Sequence, residues 1–152
     1  MLGPWDWNKG SNSILKRISE GLLYYPSGNL GIVDVRSVAE IISTCLEEVL
    51  PIGPHLIYEY DPSFKDFIEM ACSELAISPP THRLSPWFAH LFSTLESIKS
   101  LLTNTKKIIT KETAKLSSQT FIYEKRENVF NKRILKNDLK ELLHMSINFN
   151  IK

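Results

Sequence analysis

The apolar positions of this chain recur mostly at helical spacing, broken by short apolar runs between turn residues. In "NSILKRISE", residues 12–20, Ile14, Leu15 and Ile18 share a face, Ser11 is placed to cap, and Gly21 is a natural stop. "LLYY" at 22–25 reads as a short strand. Pro26, Gly28, Asn29 and Gly31 cluster into a turn, and "IVDV" at 32–35 reads as a second strand. Ser37 stands three residues before Glu40, the spacing of a capping box, and predicts a helix to about Val49. Val38, Ile41, Ile42, Cys45 and Val49 form its apolar stripe, and Pro51 ends it.

"HLIYEY" at 55–60 reads as a third strand. Ser63 then opens a helix with Phe64, Phe67, Ile68, Ala71 and Leu75 on one face, and "SPP" at 78–80 breaks the chain. Ser85 and Pro86 suit the N-cap and first turn of a helix to about Leu102, which buries Trp87, Leu91, Leu95 and Ile98. "TKET" at 110–113 starts a short helix, "TFIY" at 120–123 is strand-like, and "NDLKELLH" at 137–144 is a last helix. After residue 103, Lys, Asn, Thr and Ser dominate and the apolar face thins. The order of elements is mixed α/β. Three short strands are too little sheet for helices this apolar to cover, so the pattern is that of part of something larger.

Composition narrows the class. The 152 residues suit one domain, and 43% hydrophobic with 23% charged residues is the balance of a soluble globular protein. A net charge of +1 favours neither nucleic acid nor an anionic membrane. No apolar run approaches the roughly 18 residues of a membrane span. "MLGPWDWNKGS" lacks the basic and apolar regions of a signal peptide. Cys45 and Cys72 sit in apolar helical patterns and read as reduced, buried thiols of a cytoplasmic protein.

Catalytic constellations are scarce. His55, His82, His90 and His144 have no metal-ligand spacing and read as surface or loop residues. There is no P-loop, no G-x-S-x-G and no G-x-G-x-x-G. "GNLG" at 28–31 has no helix start directly behind it, so it reads as a tight turn rather than a phosphate loop. The aromatic stripe at 86–102 reads as core packing, because its opposite face is not richly basic. Asp34 and Arg36 lie side by side on an apolar strand. They could be a solvated pair, a buried anchor in which each charge must find partners, or a ligand contact.

"LGPWDWNKGS" followed by "GLLYYPSGNLGIVDVRSVAE" resembles the C-terminal half of an extended short-chain dehydrogenase/reductase, of the NAD-dependent epimerase/dehydratase group near its dihydroflavonol-reductase-like members. The family pattern is a strand ending in L/Y-G-P, a G-S, a helix ending in Gly, an apolar pair, P-x-G, and G-F-V-D-V-R-D-V-A. Leu2, Gly3 and Pro4 match the first element; Gly10, Ser11, Gly21, Pro26, Gly28, Gly31, Val33, Asp34, Val35, Arg36, Val38 and Ala39 match the rest. "LIYEYDPSFKDFIEMACSELAISPP" and "LLTNTKKIITKETAK" continue the likeness to about residue 115. Ser37 departs from the family's usual Asp.

The resemblance implies an α/β fold: the C-terminal substrate-binding part of a Rossmann-type enzyme, with the nucleotide-binding sheet largely missing. Residues 1–116 would form that region and 117–152 a divergent tail. The family's glycine loop and catalytic Ser/Thr, Tyr and Lys belong to a preceding half. None is found here: four residues after Tyr24, Tyr25, Tyr58, Tyr60 and Tyr123 stand Gly28, Asn29, Pro62, Phe64 and Glu127, so there is no Y-x-x-x-K. The implied substrate contacts are Pro4, Trp5, Ser11, Tyr25, Gly28 and Arg36, with no catalytic, cofactor-binding or metal residue. NAD or NADP serves the complete family enzyme, and none is expected on this chain alone. The implied partners are the missing N-terminal half and a small-molecule substrate, with self-association in their absence. A non-catalytic interaction module reusing the lobe is the alternative.

Overall fold

The structure, a computed structural model, describes residues 1–47, 53, 55–84, 116–122 and 138–151. It is mixed α/β. A 3-10 turn at Gly10–Asn12 leads into α1 (Ser13–Ser19). Then come β1 (Tyr24–Tyr25), α2 (Val35–Glu47), α3 (Phe64–Glu74), β2 (His82–Arg83) and α4 (Leu139–Ile151). The expected helices from Pro86 and at 110–113 lie outside the described residues, as do Val49, His90 and Tyr123. No helix among the described residues is long and apolar enough to cross a membrane.

The core forms where α3 packs against both α1 and α4. α3 turns Phe64, Phe67, Ile68, Ala71 and Cys72 inward, and Leu15 and Ile18 of α1 meet them. α4 contributes Leu139, Leu142, Leu143 and Ile147, whose spacing follows the helical period. Each such side chain, fully buried, stabilises the fold by roughly 1.5–3 kcal/mol. Ser63 caps α3 as its sequence predicts: its hydroxyl accepts from the Asp66 amide at 3.1 Å and donates to the Asp66 carboxylate at 2.7 Å. Gly21, at φ +91°, closes α1, with its amide bonded to Ile18 O at 3.0 Å.

The N-terminal segment is pinned to both ends of this core. The Trp7 indole donates to Ser146 O at 3.1 Å, and the Asn150 side chain accepts from Trp7 N and donates to Trp5 O. Asn12 donates to the carbonyls of Gly3 and Trp5, at 2.7 and 3.1 Å. Ser11 therefore does not cap α1; it lies exposed within the 3-10 turn.

The expected strands shrink. Only Tyr24 and Tyr25 of "LLYY" are extended in a ladder, and they pair in parallel with His82 and Arg83. "IVDV" and "HLIYEY" form isolated bridges instead: Leu2 with Asp34 in parallel, and Ile32 with Tyr60 antiparallel. The reason is supply of partners, since a strand exists only where a second one offers its amides and carbonyls.

α2 brings two further corrections. It starts at Val35, so Ser37 is not its cap but a fully buried residue in its first turns. Its inward face is Ser37, Ile41 and Thr44. Ile42 is 55% exposed and Cys45 is exposed, so neither lies in a core. Val35, Ala39, Ile42 and Leu46 fall one turn apart along an exposed stripe.

Candidate functional site at the Asp34 junction

The start of α2 explains why an acid and a base stand two residues apart. Asp34 is the N-cap. Its carbonyl accepts the first helical bond, from Val38 N at 3.2 Å, and its Oδ1 accepts from Arg36 N at 2.8 Å. A carboxylate here also meets the positive end of the helix dipole. Asp34 is 1% exposed, and a bare carboxylate at that depth would be costly. Arg36 answers it side on: Nε lies 3.1 Å from Oδ1 and 3.0 Å from Oδ2, and Nη2 lies 2.5 Å from Oδ2. The pair is a buried anchor on its acidic side, with the Arg36 side chain 38% exposed.

Neighbouring elements close around it. The Asp34 amide donates to Glu59 Oε2 at 2.8 Å, which ties "HLIYEY" to the start of α2. Glu59 Oε1 is buried with no hydrogen-bond partner. Arg36 Nη1 lies 3.5 Å from Met145 Sδ of α4. The bond to Asp34 raises the Arg36 guanidinium above its already high range, against the opposing effect of burial, and the charges of Asp34, Glu141 and Glu59 add to the rise. Burial, then the charges of Glu59, Asp34, Asp138 and Glu141, pushes the Tyr60 phenol above its ordinary value. The junction thus gathers several carboxylates around Arg36, which pairs directly with Asp34.

The other expected substrate contacts do not gather here. Pro4 is half-buried and Trp5 is 66% exposed, beside α1 and the end of α4. Tyr25 is half-buried against the core, and its carbonyl accepts from Leu84 N at 2.8 Å. Gly28 belongs to a third place. Its amide donates to Ser117 O at 2.9 Å, and its carbonyl accepts from Phe64 N at 3.0 Å. A Cβ at Gly28 would press into the carbonyl oxygens of Gln119 and Ser117, the latter at 2.7 Å. Next to it, the Asn29 side chain grips one peptide unit from both sides: Nδ2 donates to Phe121 O and Oδ1 accepts from Phe121 N, each at 2.7 Å. Asn29 and Glu59 escaped the sequence reading. An Asn among turn residues and a Glu between tyrosines give no local sign of a partner 92 or 25 residues away.

Three helix N-termini among the described residues carry an acid at the place where a dinucleotide's pyrophosphate would sit. A pyrophosphate would sit at a helix N-terminus with free amides. α2 carries Asp34 there, α3 has Asp66 in its first turn and α4 has Glu141. Among the described residues no His, Cys, Asp or Glu group has the arrangement of a metal site.

No protein-family model matches the chain, and no curated protein matches it. Its fold is similar to that of a solved structure described as the crystal structure of gox2253, with a TM-score of 0.65 and 18% sequence identity. The similarity covers 97% of this chain and 46% of that one, so the chain spans about half the length of the structure it matches.

Proposed function

We propose that this chain is the substrate-binding C-terminal part of an NAD(P)-dependent oxidoreductase or epimerase of the extended short-chain dehydrogenase/reductase type. It would act on a sugar nucleotide or a ketone/alcohol pair and require a nucleotide-binding half to turn over. The observation that carries the reading is the junction at Leu2 and Asp34. A parallel bridge runs straight into a capped helix whose stripe of Val35, Ala39, Ile42 and Leu46 is exposed. Parallel strands belong in sheets covered on both faces, so such a junction suits a chain completed by more sheet. A fold match to under half of a longer chain supports the same reading. The acids at the helix N-termini support the proposal that cofactor binding resides elsewhere.

Calorimetric titration tests it. The isolated chain should show no saturable uptake of NAD or NADP, and micromolar binding of either would refute the division of labour. An upstream reading frame encoding the glycine loop and Y-x-x-x-K would support the enzyme reading. A second reading, a non-catalytic interaction module, is favoured by one observation: the Asn29 amide already holds a peptide unit, at Phe121.

A further inference from the structure

We propose that Met145 is a modification site at the junction of α2 and α4: oxidation of its thioether to the sulfoxide gives the Arg36 guanidinium an acceptor that it lacks, and draws α4 onto the start of α2. The inference stands on contacts alone and holds under either reading of function. The five N–H groups of a guanidinium point in fixed directions. Here Nε and Nη2 are turned on Asp34, and among the described residues Nη1 meets only Met145 Sδ, at 3.5 Å. A thioether is a weak acceptor, so one edge of the fork is engaged and the other is nearly unused.

Hydrogen peroxide is an oxidant of the right class. The sulfur lone pair attacks one peroxide oxygen, an S–O bond forms and the O–O bond breaks. The hydrogen of the transferred oxygen passes to the departing hydroxide, which leaves as water. Sulfur loses two electrons, peroxide gains them, and the side chain becomes polar and reducible again by a sulfoxide reductase. The three methionines of the chain stand in different surroundings. Met1 is 62% exposed, Met70 is half-buried against the apolar core, and Met145 is half-buried with its sulfur on a cation. A sulfoxide oxygen at Met70 would lie among apolar side chains and loosen the fold. At Met145 it would meet a charged donor. The two oxidations therefore act with opposite sign, which separates a site from damage.

The test uses the full chain carrying Cys45→Ser and Met70→Leu, which removes the exposed thiol and leaves Met1 and Met145 as the methionines. Dilute hydrogen peroxide is the probe, conversion is read by peptide mass spectrometry, and the same chain with Met145→Leu is the control. Oxidation of Met145 should raise the midpoint of the thermal melt by about 2–4 °C over the treated control. Amide exchange across 139–147 should slow in parallel. Arg36→Lys keeps a cation beside Asp34 but has no Nη1, and should lose both effects. Met145 that stays reduced when Met1 is fully converted overturns the proposal. So does a melt that does not rise, exchange in α4 that is unchanged or faster, or a gain that survives Arg36→Lys.

Discussion

Replacing Arg36 by Met isolates the energetics of the junction. The substitution keeps much of the side-chain volume and removes the charge. Asp34, 1% exposed, would keep its bond from the Arg36 backbone amide and lose the three contacts from Nε and Nη2. Breaking a buried ion pair on one side costs about 3–5 kcal/mol. The Arg36 side chain is 38% exposed, so water reaches the vacated edge and the figure falls to about 1–3 kcal/mol. For a chain of this length each kcal/mol shifts Tm by about 2–4 °C, so the melt should drop by about 2–12 °C. The double variant Asp34→Asn/Arg36→Met should recover part of that loss. An amide can still accept the capping bond and leaves no unpaired buried charge at position 34 itself. Thermal melts by circular dichroism, repeated in denaturant, complete the double-mutant cycle. A single variant that melts within about 1 °C of wild type, or a double variant as unstable as the single, would refute the buried-anchor argument.

Two further outcomes follow from the α2 surface and the thiols. Ile42 and Leu46, 55% and 84% exposed, should drive the isolated chain to self-associate, and Ile42→Glu/Leu46→Glu should relieve it. Light scattering on a sizing column reads this, and a wild-type monodisperse monomer with a sharp cooperative melt would show that the lobe closes its own core. Of the two cysteines, Cys45 is exposed and Cys72 is 2% exposed, with burial raising its thiol. A raised pKa means less thiolate at any pH below it, so Cys72 should react with a thiol reagent only on unfolding. Two fast native equivalents would contradict that burial.

The local pattern carried α3 outright. Its period of Phe64, Phe67, Ile68 and Ala71 and the Ser63 cap are interactions within a few residues of chain, and the structure keeps them. The same reasoning misassigned the start of α2, because "DVRS" offers two capping residues and only the tertiary neighbours choose. Asp34 won because Arg36 compensates its buried carboxylate and Glu59 takes its amide, whereas Ser37 sits on the face turned inward. The substrate candidates were read from residues 4–36, and the fold distributes them over several separate places.

By itself the sequence determined that α1, α2, α3 and α4 are helical, which face of α3 is buried, and that Asp34 and Arg36 stand side by side. These depend on period, capping and adjacency, all encoded within a turn or two of helix. The tertiary structure alone decided that the expected strands reduce to bridges, that Ile42 and Cys45 face outward, and that Asn29 closes on Phe121. Strand pairing, exposure and a side-chain amide's choice of peptide each depend on which distant segment arrives, and a chain's local pattern holds no record of that arrival.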